Sequence, residues 1–279
     1  MARPDRVLGF PVEPFNSTER IVMKLIIPAL VSIVASAAFA QTPTSSPAER
    51  AKASPSSSPV ASSAASSASS ATRSDVYHVH FAKSAVGKAA QQADVLKKQN
   101  PTAPMPGHYV VFRHQDGDAW DYAVIEHLGT KATVDAARPT PTPAQRDLGD
   151  WHTDTFVSGP PWADFAREMG LGDDATKSAG SVYIVSMYRA APGQRDALDK
   201  MLSEPPDRAV DTSSGNVVFQ HLEGADWTFV AVARFNSWDD FAKNEINSVA
   251  QTNKNAGGWF QIRNLVSSHT DTLCDRITP

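Results

Sequence analysis

Four residues, His-Thr-Asp-Thr, occur twice in the chain, at 152–155 and again at 269–272. Alternate side chains of a strand share a face. A strand through each copy therefore points His152 with Asp154, and His269 with Asp271. An imidazole beside a carboxylate suits proton transfer, the carboxylate orienting the ring and raising its basicity. The same pair suits a divalent metal such as Zn²⁺ or Fe²⁺. It also suits a plainer role, a hydrogen-bonded structural pair repeated with the unit that carries it. His152, Asp154, His269 and Asp271 are the catalytic candidates. No compact third ligand stands near either pair in the sequence, so no metal site is assigned and no cofactor is expected.

The remaining histidines offer ligand-binding candidates. His78 and His80 alternate with Tyr77, Val79 and Phe81 and share the opposite face of one predicted strand. His114 ends a second strand. His127 follows Glu126 at the end of a third, where both can join a histidine cluster. Arg113 can reach a carboxylate. Trp120, Trp227, Tyr77 and Tyr183 read as core before they read as a ligand platform.

Other chemistries lack their signatures. The chain has no Gly-rich phosphate loop, no Cys-x-x-Cys, no G-x-S-x-G and no H-E-x-x-H. The formal net charge is −4, and basic residues are scattered, which argues against nucleic-acid binding. The single cysteine, Cys274, rules out an intramolecular disulfide and reads as a quiet, half-buried thiol.

These residues need elements to position them, and the elements begin well inside the chain. Residues 1–22 mix acidic and basic groups and read as an over-long N-terminal extension, with Met23 as the expected start. Residues 23–40 carry a lysine, an apolar run and a small-residue end at Ala38-Phe39-Ala40. That is the layout of a secretory signal cleaved before Gln41, and it predicts export to the periplasm or medium. The apolar run is shorter than the ~20 residues of a membrane span. No cysteine follows it, so lipoprotein processing is not supported. Residues 41–74 are rich in Ser, Ala, Pro and Thr, too poor in apolar surface to offset ordering entropy, and read as a disordered tether, or alternatively as an O-glycosylated or wall-spanning stalk.

From residue 75 onward the pattern repeats. Strands are predicted over 76–81, 108–114, 120–128 and 151–157, with helices over 86–99 and 162–169 and a Pro/Thr-rich stretch before the fourth strand. The second half predicts strands over 182–188, 216–221 and 227–235 and helices over 192–202 and 238–249. Ser237 opens the last helix, a Gly257-Gly258 break follows, and the second His-Thr-Asp-Thr forms the final strand. Tyr77 and Tyr183 stand 106 positions apart, as do Gly87 and Gly193. His114 and His221 stand 107 apart, as do Trp120 and Trp227, while His152 and His269 stand 117 apart. The second half has gained ten positions before its last strand.

Each half thus predicts a ferredoxin-like β-α-β-β-α-β unit, over 75–177 and 178–279. The tandem pair resembles the dimeric α/β-barrel superfamily, which includes antibiotic-biosynthesis monooxygenase-like and stress-responsive A/B-barrel domains. The resemblance rests on element order and internal repetition. It implies an α+β fold in which two tandem units pair their antiparallel sheets into an intrachain pseudo-dimeric barrel. Three functions stay open: a small-molecule binder using a site in or beside the barrel cavity, a cofactor-independent monooxygenase- or isomerase-like enzyme, and a non-catalytic envelope interaction module. Homo-oligomerisation is compatible with all three. An enclosed cavity holding His78, His80 and His152 would favour the first two, and a packed apolar interior the third. His78 and His80 align with Ile184 and Ser186, so the first half is the better place for a site.

Overall fold

The computed structural model describes residues 72–98, 105–134, 142–172 and 175–278. The signal-like segment and nearly all of the Ser/Ala/Pro/Thr-rich stretch lie outside the described residues. The first half runs β1 (Asp75–Ser84), α1 (Ala89–Leu96), β2 (Tyr109–Asp116), β3 (Tyr122–Gly129), two one-turn helices α2 (Lys131–Val134) and α3 (Pro143–Arg146), β4 (Gly149–Gly159) and α4 (Trp162–Met169). The second runs β5 (Val182–Ala190), α5 (Arg195–Ser203), β6 (Gly215–Glu223), β7 (Phe229–Phe235), α6 (Trp238–Thr252), α7 (Gly258–Leu265) and β8 (Val266–Arg276).

The eight strands close into one barrel in the order β1-β3-β2-β8-β5-β7-β6-β4. Each half contributes a run of the same order, β4-β1-β3-β2 and β8-β5-β7-β6, the split arrangement of a ferredoxin-like unit. Two antiparallel seams join them, β2 with β8 and β4 with β6. The fold is therefore α+β, two ferredoxin-like sheets closed into an intrachain barrel.

Alternation decides what fills the barrel. Tyr77, Val79 and Phe81 point inward with Val110, Phe112 and Ile125. The second half sends in Tyr183, Val185, Val217, Phe219, Val230 and Val232. Burial of each large apolar side chain is worth about 1.5–3 kcal/mol, so this interior is the main store of stability. Cys274 lies inside at 2 % exposure, more deeply than its sequence setting suggested, and burial pushes its thiol pKa up, which keeps it unreactive.

Helix α4 stops one end of the barrel. Pro160-Pro161 ends β4 and presets the first helical turn, and Phe165 and Met169 drop into the same apolar cluster. Two tyrosines at matching positions of the two halves hold it. Tyr77 donates its hydroxyl proton to the Pro160 carbonyl at 2.6 Å, and Tyr183 donates to the Met169 carbonyl at 2.9 Å. Outside the barrel, α1 packs Ala93 and Leu96 on Val111 and Tyr122. Helices α5 and α7 pack Leu198 and Ile262 on Phe229, with Tyr188 beside them.

Helix α7, which the Gly257-Gly258 break concealed, lies in the stretch before β8 where the second half has gained its ten positions. Gly257 takes φ +90°, and the helix begins at the next residue. As expected, Ser237 caps α6, accepting from the Asp240 N–H at 3.1 Å. In the first half only two one-turn helices are described between β3 and β4. No helix among the described residues is long and apolar enough to cross a membrane.

Each hairpin glycine lies against the other half's His-Thr-Asp-Thr strand. A Cβ on Gly117 (φ +127°) would meet the Asp271 carbonyl oxygen at 2.5 Å, and one on Gly224 (φ +106°) would overlap the Asp154 carbonyl oxygen. Both the backbone conformation and the close approach demand glycine. Gly117→Ala and Gly224→Ala should each lose at least about 1–3 kcal/mol. Gly107→Ala, at a site where the added carbon meets nothing within 4 Å, should change little. Urea midpoints of the three variants test this.

Candidate functional site

Three places in the structure gather groups that could bind or react. The first is the barrel mouth opposite α4, where a cleft of about 440 Å³ opens between the two β-hairpins. Trp120 and Trp227, equivalent residues at the ends of the hairpin turns, form its floor with Phe81 and Met187. Trp151, at the start of β4, forms a rim and is 39 % exposed. The ionisable residues of its lining are both acidic, Asp118 and Asp226. Arg189, in an adjoining recess, comes within 3.5 Å of Asp226. None of the candidate histidines lines this cleft.

The second place is the outer face of β1 and β4. The two strands pair antiparallel, with His80 opposite Asp154, His78 opposite Phe156, and Ala82 opposite His152. Inward-facing Tyr77, Val79 and Phe81 force His78 and His80 outward. The condition set for a barrel-cavity site, an enclosed cavity holding His78, His80 and His152, is not met by this geometry. The apolar members of the alternation take the interior, and the imidazoles are left on the opposite side of the sheet.

There they meet. Asp154 Oδ1 lies 2.8 Å from His78 Nε2 and 2.8 Å from His80 Nδ1. His152 Nε2 lies 3.4 Å from Asp154 Oδ2, and its ring centre lies 5.2 Å from that of His80. Glu126 joins from β3, its Oε2 3.6 Å from His78 Nδ1. Hydrogen bonds from His78 and then His80 hold the Asp154 carboxyl far below the ordinary carboxylate range, against a desolvation that would raise it. His78 and His80 are mostly covered, while Asp154 and His152 remain open to solvent.

The second His-Thr-Asp-Thr has a thinner counterpart. His269 Nε2 lies 3.4 Å from Asp271 Oδ2, but the strand beside it offers Ser186 and Tyr188. Tyr188 stacks on the His269 ring at 5.8 Å, and the apolar cluster of α5 and α7 packs on Tyr188. The pair stands beside a contact between strand and helix. The threonines face the other way in both copies. Thr155 and Thr272 are fully buried, and Thr272 Oγ1 accepts from the Asp118 N–H at 3.3 Å.

The third place is beside α4. His127 does not reach His78 and His80. Its Nε2 lies 2.8 Å from Asp75 Oδ2, and its Nδ1 lies 3.1 Å from His108 Nδ1. A proton on His127 Nε2 for Asp75 leaves Nδ1 to accept from His108, which assigns both tautomers. His108 then stacks flat on Trp162 at 4.4 Å. His108 escaped the sequence reading because it lies at a strand edge without a patterned neighbour. His114 lies in the β2–β8 seam opposite Cys274, its Nε2 buried without a hydrogen-bond partner. Arg113 is held in a two-pronged pair with Asp275 at 3.0 and 2.7 Å.

No family model matches the chain, and no curated protein matches it in sequence. Solved structures resemble it at a distance. A candidate monooxygenase from Lactobacillus acidophilus is 7 % identical, with a TM-score of 0.45 over 73 % of this chain and 94 % of its own. An anthrone oxidase-like protein is 11 % identical, with a TM-score of 0.48 over 74 % of this chain and 93 % of its own. A candidate monooxygenase from Fusobacterium nucleatum is 7 % identical, with a TM-score of 0.45 over 72 % and 92 %. At this distance the likeness says nothing about chemistry.

Burial, and then the neighbouring His127, push the His108 pKa below its ordinary value. The fold therefore favours neutral His108. That contribution to stability is present above the unfolded pKa of about 6.5 and is lost as pH falls from there through the lower folded pKa. NMR should show His108 titrating below about 6.5. Over the same window, the His108→Gln variant should lose less stability with falling pH than the parent chain.

Proposed function

We propose that the chain is exported and binds a small cationic or amine-bearing aromatic molecule in the cleft at the barrel mouth. The observation that carries this reading is the lining: three tryptophans and two carboxylates around one recess. Aromatic faces attract cations through the ring quadrupole, by about 0.5–2 kcal/mol each depending on desolvation. Carboxylates at the rim add charge complementarity and repel anions. The filled interior moves the ligand from within the barrel to beside it, since a close-packed core leaves no room for one. Export rests on the signal-like layout of 23–40, and a mature N-terminus at Gln41 is the corresponding expectation.

A monooxygenase- or isomerase-like reaction would need a base beside the bound substrate. The cleft supplies Asp118 and Asp226 for that role, since the histidines stand on other faces. An interaction module draws support from the packed barrel and from α6 and α7, which leave Trp238, Ile246, Val249, Trp259 and Phe260 exposed. A concentration-dependent dimer in sedimentation experiments, abolished by Ile246→Glu, would support that reading.

The ligand reading is tested by tryptophan fluorescence against a panel of aromatic amines, quaternary ammonium compounds and matched aromatic carboxylates. Cations should quench and carboxylates should not. Trp151→Ala and Asp118→Asn should each weaken binding by roughly tenfold, the equivalent of about 1.4 kcal/mol. Equal binding of anions, or affinity unchanged in Trp151→Ala, overturns it.

A further inference from the structure

On the outer face of the same sheet, we propose that His78, His80 and Asp154 form a binding site for a divalent transition ion of the Zn²⁺ or Cu²⁺ class. The site lies away from the cleft and is independent of the ligand reading. Its three ligand atoms, one from each side chain, all lie within 4.8 Å of one another. Small χ rotations close such a set onto one ion at the usual distances of about 2.0–2.2 Å.

The donor set selects the ion. Two imidazoles and one carboxylate are borderline ligands, suited to Zn²⁺ and Cu²⁺ and poorly suited to Mg²⁺ or Ca²⁺, which take oxygen ligands. The backbone holds the set in place. His80 and Asp154 are direct cross-strand partners, and His78 is two residues along the same face. Cross-strand neighbours hold their Cβ atoms about 4.5–5.5 Å apart, so the register brings the donors together without a loop.

Two features distinguish this cluster from a chance grouping on a polar surface. The first is an outer partner. His78 faces Asp154 with Nε2 and places Nδ1 3.6 Å from Glu126 Oε2. Metal-bound histidines characteristically give their second ring N–H to a carboxylate, which fixes the tautomer and strengthens the ligand. The second is a further imidazole. His152, 62 % exposed and 3.4 Å from the free oxygen of Asp154, can swing in as a fourth ligand. In the metal-free chain Asp154 Oδ1 accepts from both ring nitrogens. On binding, the protons on those nitrogens pass to the other ring nitrogen or to solvent, so that lone pairs face the ion.

The second half of the chain is a built-in control. His269 and Asp271 reproduce His152 and Asp154, but the positions of His78 and His80 are Ile184 and Ser186. Two donors remain of four, and Tyr188 stacks on one of them. The site therefore belongs to the first half alone, with one ion per chain.

The test is calorimetric titration of the full chain, free of any affinity tag, with Zn²⁺, Cu²⁺ and Mg²⁺, together with melting curves. One equivalent of Zn²⁺ or Cu²⁺ should bind and raise Tm, with no response to Mg²⁺. Cu²⁺ electron paramagnetic resonance should show coupling to at least two nitrogens. His80→Ala and Asp154→Ala should weaken binding more than a hundredfold, and Glu126→Gln about 10–100-fold. His269→Ala should bind as the parent does. Circular dichroism checks folding, and His80→Gln replaces His80→Ala should the latter unfold. Absence of Zn²⁺ and Cu²⁺ binding, undiminished binding in the folded His80 variant, or equal loss in His269→Ala overturns the proposal.

Discussion

Closure of the barrel is the constraint on which the rest of the molecule depends. Each four-stranded half has two outer strands whose backbone groups would otherwise seek partners. Pairing β2 with β8 and β6 with β4 satisfies both edges at once. Those seams also bring each hairpin over the other half's fourth strand, where only glycine allows the approach. The repeated His-Thr-Asp-Thr lies at this crossing in both copies. Its threonines face into the barrel, while its histidine and aspartate are turned out.

Once the sheet is closed, the interior is a volume that side chains must fill. Tyr77, Phe112, Tyr183 and Phe219 occupy its centre, and α4 enters from one end. Polar and aromatic groups that solvent reaches collect instead at two margins. One is the open mouth, where tryptophans at the hairpin ends meet a pair of carboxylates. The other is the outer face, where polar members of the alternation collect. The two halves differ most on that outer face. In the second, α7 adds helical cover beside β8, and in the first, His78, His80 and Asp154 stand on a face that solvent still reaches.

The position of the histidines shows where reading along the chain stopped. Alternation in β1 already placed His78 with His80, and opposite Tyr77, Val79 and Phe81. The apolar run of that strand was a sufficient signal for which side faced in, because burying His78 and His80 without partners costs more than burying Tyr77, Val79 and Phe81. The convergence of Asp154 on these histidines was invisible for a different reason. Asp154 lies 74 residues from His80 and becomes its neighbour only when β1 and β4 pair. The same holds for Asp75 and His127, and for Trp151 with the hairpin tryptophans. The helix α7 was hidden by its own opening glycines, which read locally as a break.

By itself the sequence determined the order of the strands, the cap of α6, the hairpin turns, and which side chains share a face. All of these follow from contacts between residues a few positions apart, where backbone geometry and side-chain size act directly. Only the tertiary structure decided which strands became neighbours across the seams and which side chains converged. Those outcomes depend on burying one continuous apolar interior and on pairing every strand edge. Both conditions apply to the whole closed barrel and to no segment alone.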